Sequence, residues 1–403
     1  MKKIILAELR KSWRGKRVLV AFAAFLCFFS VVYVNCLQKG KAYEDDLIMQ
    51  LHYQNAIVST RCGDLMYTLQ NTPVEKENPG QREEAYGWCN VTDNVSSWTY
   101  LRQAPEYFDW HNTNAYAIGR AETLLALMDR GYYHDELKGY GITKKTLETD
   151  RAYYRYFEAQ DIPPYTTPYE PNLLNFILQM FQHDTMLLLM VVVSLLMADQ
   201  ICHDYDSGTY KTIYSQPISR KKLIIAKVSA AAAVILLTLP AALAVFSVVP
   251  LSAYGMGSSA YPYIVHTYDV VSWTWLLQRI LPFSLLVILF YMTVAALLAS
   301  WQKTISNTML CIGSLLILIY FLIRIFGYSI PLFSWIPFFY IYPMEIAAHD
   351  FTLDLLPCTI LCIAGSLVFF LLHIFIIEKR DLEGGVPLMK RRFCVYRQDR
   401  GTA

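Results

Sequence analysis

The sequence lacks the short motifs that carry most soluble chemistry. It has no GxxxxGK followed by Ser or Thr, so nucleotide phosphates find no Gly-rich cradle, and no HExxH, GxSxG or HxE with PCxxC, so metalloprotease, lipase and deaminase readings lack their reacting groups. Charge is scarce: 17% of the 403 residues are charged and the net is +2, which argues against a nucleic-acid binder and a disordered chain. The nine cysteines are scattered, with no CxxC and no Cys/His cluster at zinc spacing, so neither a structural metal nor a bound cofactor is expected.

What the chain has in excess is apolar surface. At 55% hydrophobic and 14% aromatic residues, with a mean hydropathy of +0.30, it carries more than a soluble core can hide. A spanning helix needs roughly 20 apolar residues at about 1.5 Å each. Six such runs occur, Val18 to Leu37, Leu174 to Met197, Leu223 to Val249, Leu276 to Ala299, Thr308 to Phe326 and Leu355 to Ile377. The first is not read as a cleaved signal, because it is long and ends without a small-x-small site.

Lys and Arg set the expected orientation. They crowd residues 2–17, the loop after the second run (Lys211, Arg220, Lys221, Lys222), Lys303 and the tail, whereas residues 250–272 and 327–354 hold none at all. By the positive-inside rule both termini lie in the cytoplasm. The expected fold is an all-α polytopic membrane protein with six transmembrane helices and a mostly helical extracytoplasmic domain between the first and second spans. Its parts are an amphipathic helix (1–17), the first span (18–37), the outer domain (38–172), a five-span membrane region (173–382) and a basic cytoplasmic tail (383–403). Within the outer domain, 71–97 reads as an irregular loop, being rich in Asn, Pro, Gly and charge. Cys62 and Cys89 alone fall well inside this domain, and a disulfide and two free thiols both fit.

Three stretches stand out as candidates for function. Residues 1–13 alternate Ile4, Ile5, Leu6, Leu9 and Trp13 with Lys2, Lys3, Glu8, Arg10 and Lys11, an amphipathic helix for the membrane surface that either anchors the chain or meets a partner. Residues 199–222 form a tight cytoplasmic element: Gly208 permits a sharp turn, Thr209 to Ser215 can be a short helix, Pro217 ends it and Ser219 can cap the third span. Residues 328–352, with Pro331, Trp335, Pro337 and Pro343, are too short for a complete span and read as a re-entrant outer segment or an aromatic belt. Gln179, His183, Asp184, Arg279 and Arg324 are polar groups expected inside or at the outer ends of spans, where a central charge costs about 3 kcal/mol, and Asp184 is expected to pair with Arg279 or Arg324 in preference to the alternative, direct contact with a substrate.

The order acidic residue, Gly-Thr, short helix, Pro-x-Ser-Arg and a later Lys resembles the ATPase-docking loop of type 2 ABC permeases. Here these are Asp204 or Asp206, Gly208-Thr209, Pro217-Ile218-Ser219-Arg220 and Lys227; the family usually has Glu at the acidic position, and both aspartates fit it. The resemblance extends to the basic N-terminal helix, the six spans and the ending Glu378-Lys379-Arg380-Asp381-Leu382. It implies a non-catalytic exporter permease in a bacterial plasma membrane, in contact with membrane lipid, with no nucleic acid. ABC ATPase subunits carrying ATP and Mg would drive it, and a second permease chain, identical or related, would face it. A peptide or lipid-like cargo is the expectation for a permease of this shape. The alternative is a membrane receptor or sensor with a ligand-binding outer domain.

Overall fold

The computed structural model describes residues 2–73, 79–103, 109–132, 135–165, 167–214, 219–265, 269–327, 330–347 and 354–379. Helix α1 (Lys2–Arg14) ends at Gly15, and Lys16, with φ 58°, turns the chain into α2 (Arg17–Asn71). The first apolar run does not stop where it leaves the bilayer. At 55 residues, α2 is about 80 Å long, so it crosses the membrane and continues as one rod into the helical domain.

That domain is built on the far half of α2 with α3 (Pro79–Gln103), α4 (Trp110–Asp129) and α5 (Lys144–Gln160). The irregular loop expected over 71–97 is instead mostly helix. Pro79 is tolerated in a first helical turn, and Ala85, Trp88, Val91, Val95 and Trp98 recur every three or four residues to present one buried stripe. Asp109 starts α4 by accepting from the His111 N–H at 3.1 Å, and Thr143 and Thr146 form a reciprocal cap on α5. The core joins Val58 of α2 to Trp88, Val91, Leu124, Leu127 and Leu147. At its margin the buried Arg120 guanidinium donates to Gln54 (2.9 Å) and Asp150 (2.8 Å) and lies 5.0 Å from the centre of the Trp98 ring. Cys62 and Cys89 are joined as a disulfide between α2 and α3.

The second apolar run is broken, contrary to the span expected over Leu174–Met197. Helix α6 (Leu173–Gln179) ends, residues 180–182 form a turn, and the span itself is α7 (His183–Asp206). Polar side chains make the break. Asn172 caps α6, Asn175 and Gln179 donate to the Pro168 carbonyl, and the Thr185 hydroxyl donates to the Gln179 and Gln182 carbonyls, which also accept the Gln182 and Met186 N–H groups.

The short helix α8 (Tyr210–Tyr214) is followed by α9 (Arg220–Phe246), which runs into α10 (Val248–Tyr254). A small antiparallel hairpin, β1 (Pro262–Ile264) and β2 (Val270–Ser272), pairs Tyr263 with Val271 and leads into α11 (Trp273–Gln302). Then come α12 (Ile305–Phe326), 3-10 turns at Pro331–Trp335 and Pro337–Phe339, α13 (Pro343–Ala347) and α14 (Leu355–Lys379). Among the described residues, six helices are long and apolar enough to span; α7 and α11 are the most buried of them, while α14 and α12 show the most surface. Apolar faces exposed on the outer helices are what a bilayer solvates. Tyr291 of α11 donates to the Phe338 carbonyl (2.7 Å), and Tyr340, Ile341 and Tyr342 are buried, so 330–347 folds back into the bundle. The tail 383–403 lies outside the described residues.

At the domain end of the bundle, tyrosines join α5 to the hairpin. Tyr165 and Tyr261 stack at 3.6 Å, and the Tyr153 and Tyr261 hydroxyls meet at 3.2 Å.

Candidate functional site

The site builds from one buried carboxylate. Asp204 lies in the last turn of α7 and is 1% exposed. A bare carboxylate there would lose most of its hydration, so it persists only with partners that stay charged. Two lysines supply them. Lys227, one turn or more inside α9 and itself buried, donates to Oδ2, and Lys11 of α1 donates to Oδ1 at 2.5 Å. The Thr209 hydroxyl lies 3.4 Å from Oδ1 and from the Asp204 carbonyl oxygen. One carboxylate therefore ties α1, α7, α9 and the turn before α8 together.

The turn itself needs Gly208. Its φ of +68° is costly for any residue with a Cβ, and it lets the chain leave α7 and enter α8 within three residues. Tyr205 and Tyr210 face one another across it, ring centres 5.4 Å apart. Ser219 then accepts from the Lys222 N–H at 3.4 Å to cap α9. A second set of contacts holds α1 and the first residue of α2 against α7: Ser12 donates to Gln200 (3.0 Å), Arg17 donates to the same oxygen (3.1 Å), and Arg17 lies 3.8 Å from Asp199. Beneath them, the buried Cys202 thiol sits 3.5 Å from the Ala299 carbonyl of α11 and 3.7 Å from the Thr308 hydroxyl of α12.

Among the residues singled out by sequence, Asp204, Gly208 and Thr209 come together here, while Ser219 caps α9. Asp206 is exposed and takes no part in the carboxylate cluster, so of the two aspartates it is Asp204 that meets Lys227. Arg220 opens α9, and Pro217 lies outside the described residues. Sequence reasoning missed Lys11, Ser12 and Gln200 as members. Lys11 is separated from Asp204 by 193 residues, and only its place on the polar side of an amphipathic helix hinted at a role.

The other polar candidates lie at the opposite end of the bundle, where Asp184 and Arg324 share a cavity and Arg279 lies apart. Asp184 does not pair with Arg279 or Arg324: its partner is Lys39 of α2, at 3.5 Å. Arg279 instead stacks 3.9 Å over the Trp275 ring one helical turn away. Arg324 lines a cavity with Asp184 and Lys39, and Gln179 belongs to the α6 break described above. The side chain of His183 lies outside the described residues. No group of three or more His, Cys, Asp or Glu that could hold a metal occurs among the described residues.

A family model described as ABC-2 family transporter protein matches residues 3–335. This chain belongs to the ABC-2 transporter family. The match takes in α1, the helical domain, the Asp204 cluster and the spans through α12, and stops before α14. An ABC-2 protein is the membrane subunit of a transporter and works with an ABC ATPase. Comparison with curated proteins and with solved structures found no match.

Proposed function

We propose that this ABC-2 protein is the permease of an exporter and that a separate ATPase seats on residues 199–222. The observation that carries the reading is the Asp204 cluster. A partner pressing on α8 acts through a turn of three residues on a carboxylate held by both α9 and α1. In a low-dielectric setting such charge-assisted contacts are stiff, because stretching one exposes a poorly solvated charge. Movement of α8 is therefore passed to three helices together rather than absorbed in a loop. Cys202, two residues before Asp204, extends the path toward α11 and α12.

In this reading the α8 end and both termini face the cytoplasm of a bacterial cell, and the helical domain lies outside. Two permease chains face each other around the path, and ATP and Mg belong to the partner. Closure of the ATPase pair rocks the spans to release a peptide or lipid-like cargo, and α2, continuous from bilayer to domain, carries the same motion outward.

The test is affinity purification of the tagged chain in mild detergent with an ATPase assay, wild type against Gly208→Pro. Proline cannot adopt a φ of +68°, so the turn must rearrange. A stoichiometric ATPase retained by wild type and lost by a monodisperse variant is the expected result. A monodisperse wild-type protein that retains no nucleotide-hydrolysing subunit in several detergents would overturn the reading.

A further inference from the structure

Two cavities meet at Asp184, at the end of the bundle away from α8. One, of about 410 Å³, is charged: Lys39 and Arg324 line it with Asp184, and Tyr169, Tyr320 and Tyr342 complete much of its wall. The other, of about 510 Å³, is an apolar groove between α2 and α7, lined by Val31, Val34 and Leu188 and headed by Asn35 and Asp184. Both are of ligand-binding size.

Their depth is set by the spans. Lys39 follows the first apolar run by two residues, Asp184 is in the first turn of α7 and Arg324 in the last turn of α12, so all three stand where three spans leave the hydrocarbon. Val31 and Val34 lie within the first span and are about half exposed, so the groove opens at acyl-chain depth. Polar chamber above and apolar groove below reproduce the profile of a single lipid molecule.

The charges select the headgroup. Two cations and one carboxylate leave the chamber with a net single positive charge. The existing Lys39–Asp184 pair does not exhaust it: at 3.5 Å, with the two side chains 39% and 60% exposed, it is a weak contact, and Lys39 also sits 5.9 Å from the Tyr169 ring centre. Arg324 offers the planar donor fork suited to phosphate oxygens, and Lys39 a mobile point charge. We propose that this paired cavity binds one phospholipid of net charge −1, its phosphate between Lys39 and Arg324 and an acyl chain along the α2–α7 groove. The proposal requires only a membrane protein and stands whether or not an ATPase seats on 199–222.

The test uses the full-length protein in detergent, titrated with dimyristoylphosphatidylglycerol and followed by native mass spectrometry. Wild type is expected to retain one such lipid in preference to dimyristoylphosphatidylethanolamine. The K39Q/R324Q variant is expected to lose about tenfold or more in apparent affinity, the weight of one charge-assisted contact. Arg279→Gln, which alters a cation outside the cavity, is the control and should bind as wild type. Val31→Trp, at a half-exposed position that tolerates bulk, keeps the charges but fills the groove, and should also weaken retention. Equal retention by K39Q/R324Q, V31W and R279Q would show only non-specific annular lipid and overturn the proposal. Displacement of the lipid by inorganic phosphate alone would overturn it too, by showing a free-anion site.

Discussion

Replacing Lys227 with Met removes the buried partner of Asp204 while keeping the length and apolar stem of the side chain. The carboxylate, 1% exposed, is then left to Lys11 and the Thr209 hydroxyl. Breaking a buried pair from one side costs about 3 to 5 kcal/mol. Lys11 still neutralises the carboxylate here, so the lower figure applies, about 3 kcal/mol, or roughly 100-fold in a local opening equilibrium. Lys11→Met removes a partner whose side chain is 39% exposed and should cost only about 1 kcal/mol. The D204N/K227M double variant leaves no buried charge and should lose less than K227M alone, because removing both partners avoids the uncompensated carboxylate. Hydrogen–deuterium exchange over 204–214 and the start of α9 measures this directly in the purified protein. The expected order of protection is wild type, then Lys11→Met, then the double variant, then Lys227→Met. If Lys227→Met exchanged like wild type, or if the two substitutions of the double variant added, the carboxylate would not be the joint of these helices.

The Ser219→Ala variant removes the α9 cap, whose contact at 3.4 Å is long, so a loss of about 0.5 kcal/mol is expected, read as faster exchange confined to residues 219–223. Opening the Cys62–Cys89 bridge by Cys62→Ser frees a loop of sequence separation 27, and the chain-entropy relation gives about 3.5 kcal/mol; limited proteolysis should then cut within 38–172 at protease levels that leave the oxidised domain intact. Burial pushes the Tyr154 phenol up to about 12, against an ordinary value near 10. The folded state thus favours the neutral form, its stabilising contribution is complete below pH about 10, and it is lost as pH rises through about 12. Emission from Trp98, whose ring meets that of Tyr154 edge-on at 5.9 Å, should hold constant through pH 10 and change only as pH approaches 12; a transition centred at 10 would show that the phenol is hydrated.

Much of the architecture was legible because membrane insertion is governed by local quantities. A run of about 20 apolar residues reports a span whatever its neighbours are, and the first, third, fourth, fifth and sixth runs all lie within observed helices. The second was misplaced because Phe176 to Phe181 is as apolar as a span, while the break there depends on Asn172 accepting from the Asn175 N–H and on Asn175, Gln179 and Thr185 donating to carbonyls brought close by folding. In the helical domain, the composition of 71–97 suggested a loop, although the stripe of Ala85, Trp88, Val91, Val95 and Trp98 was already present; periodicity outweighed composition once α2 and α4 offered it a core.

The turn at 207–209 and the start of α9 could be read from Gly208 and Ser219, since backbone sterics and capping act within a few residues. Choosing Asp204 over Asp206 could not, because both are aspartates at the end of one helix and differ only in the face they present. Packing of α9 and α1 against one face buried Asp204 and brought Lys227 and Lys11 to it, while Asp206 was left in solvent. Likewise the sequence showed cations and a carboxylate at the ends of spans, but Lys39 rather than Arg279 met Asp184 because helix neighbours are assigned by side-chain fit across the bundle. Sequence alone determined which segments are helical rods long enough to cross a membrane, a property of each segment's own hydration and backbone. Tertiary structure decided which charges meet, because an ion pair in a low dielectric depends on a distance that no single segment contains.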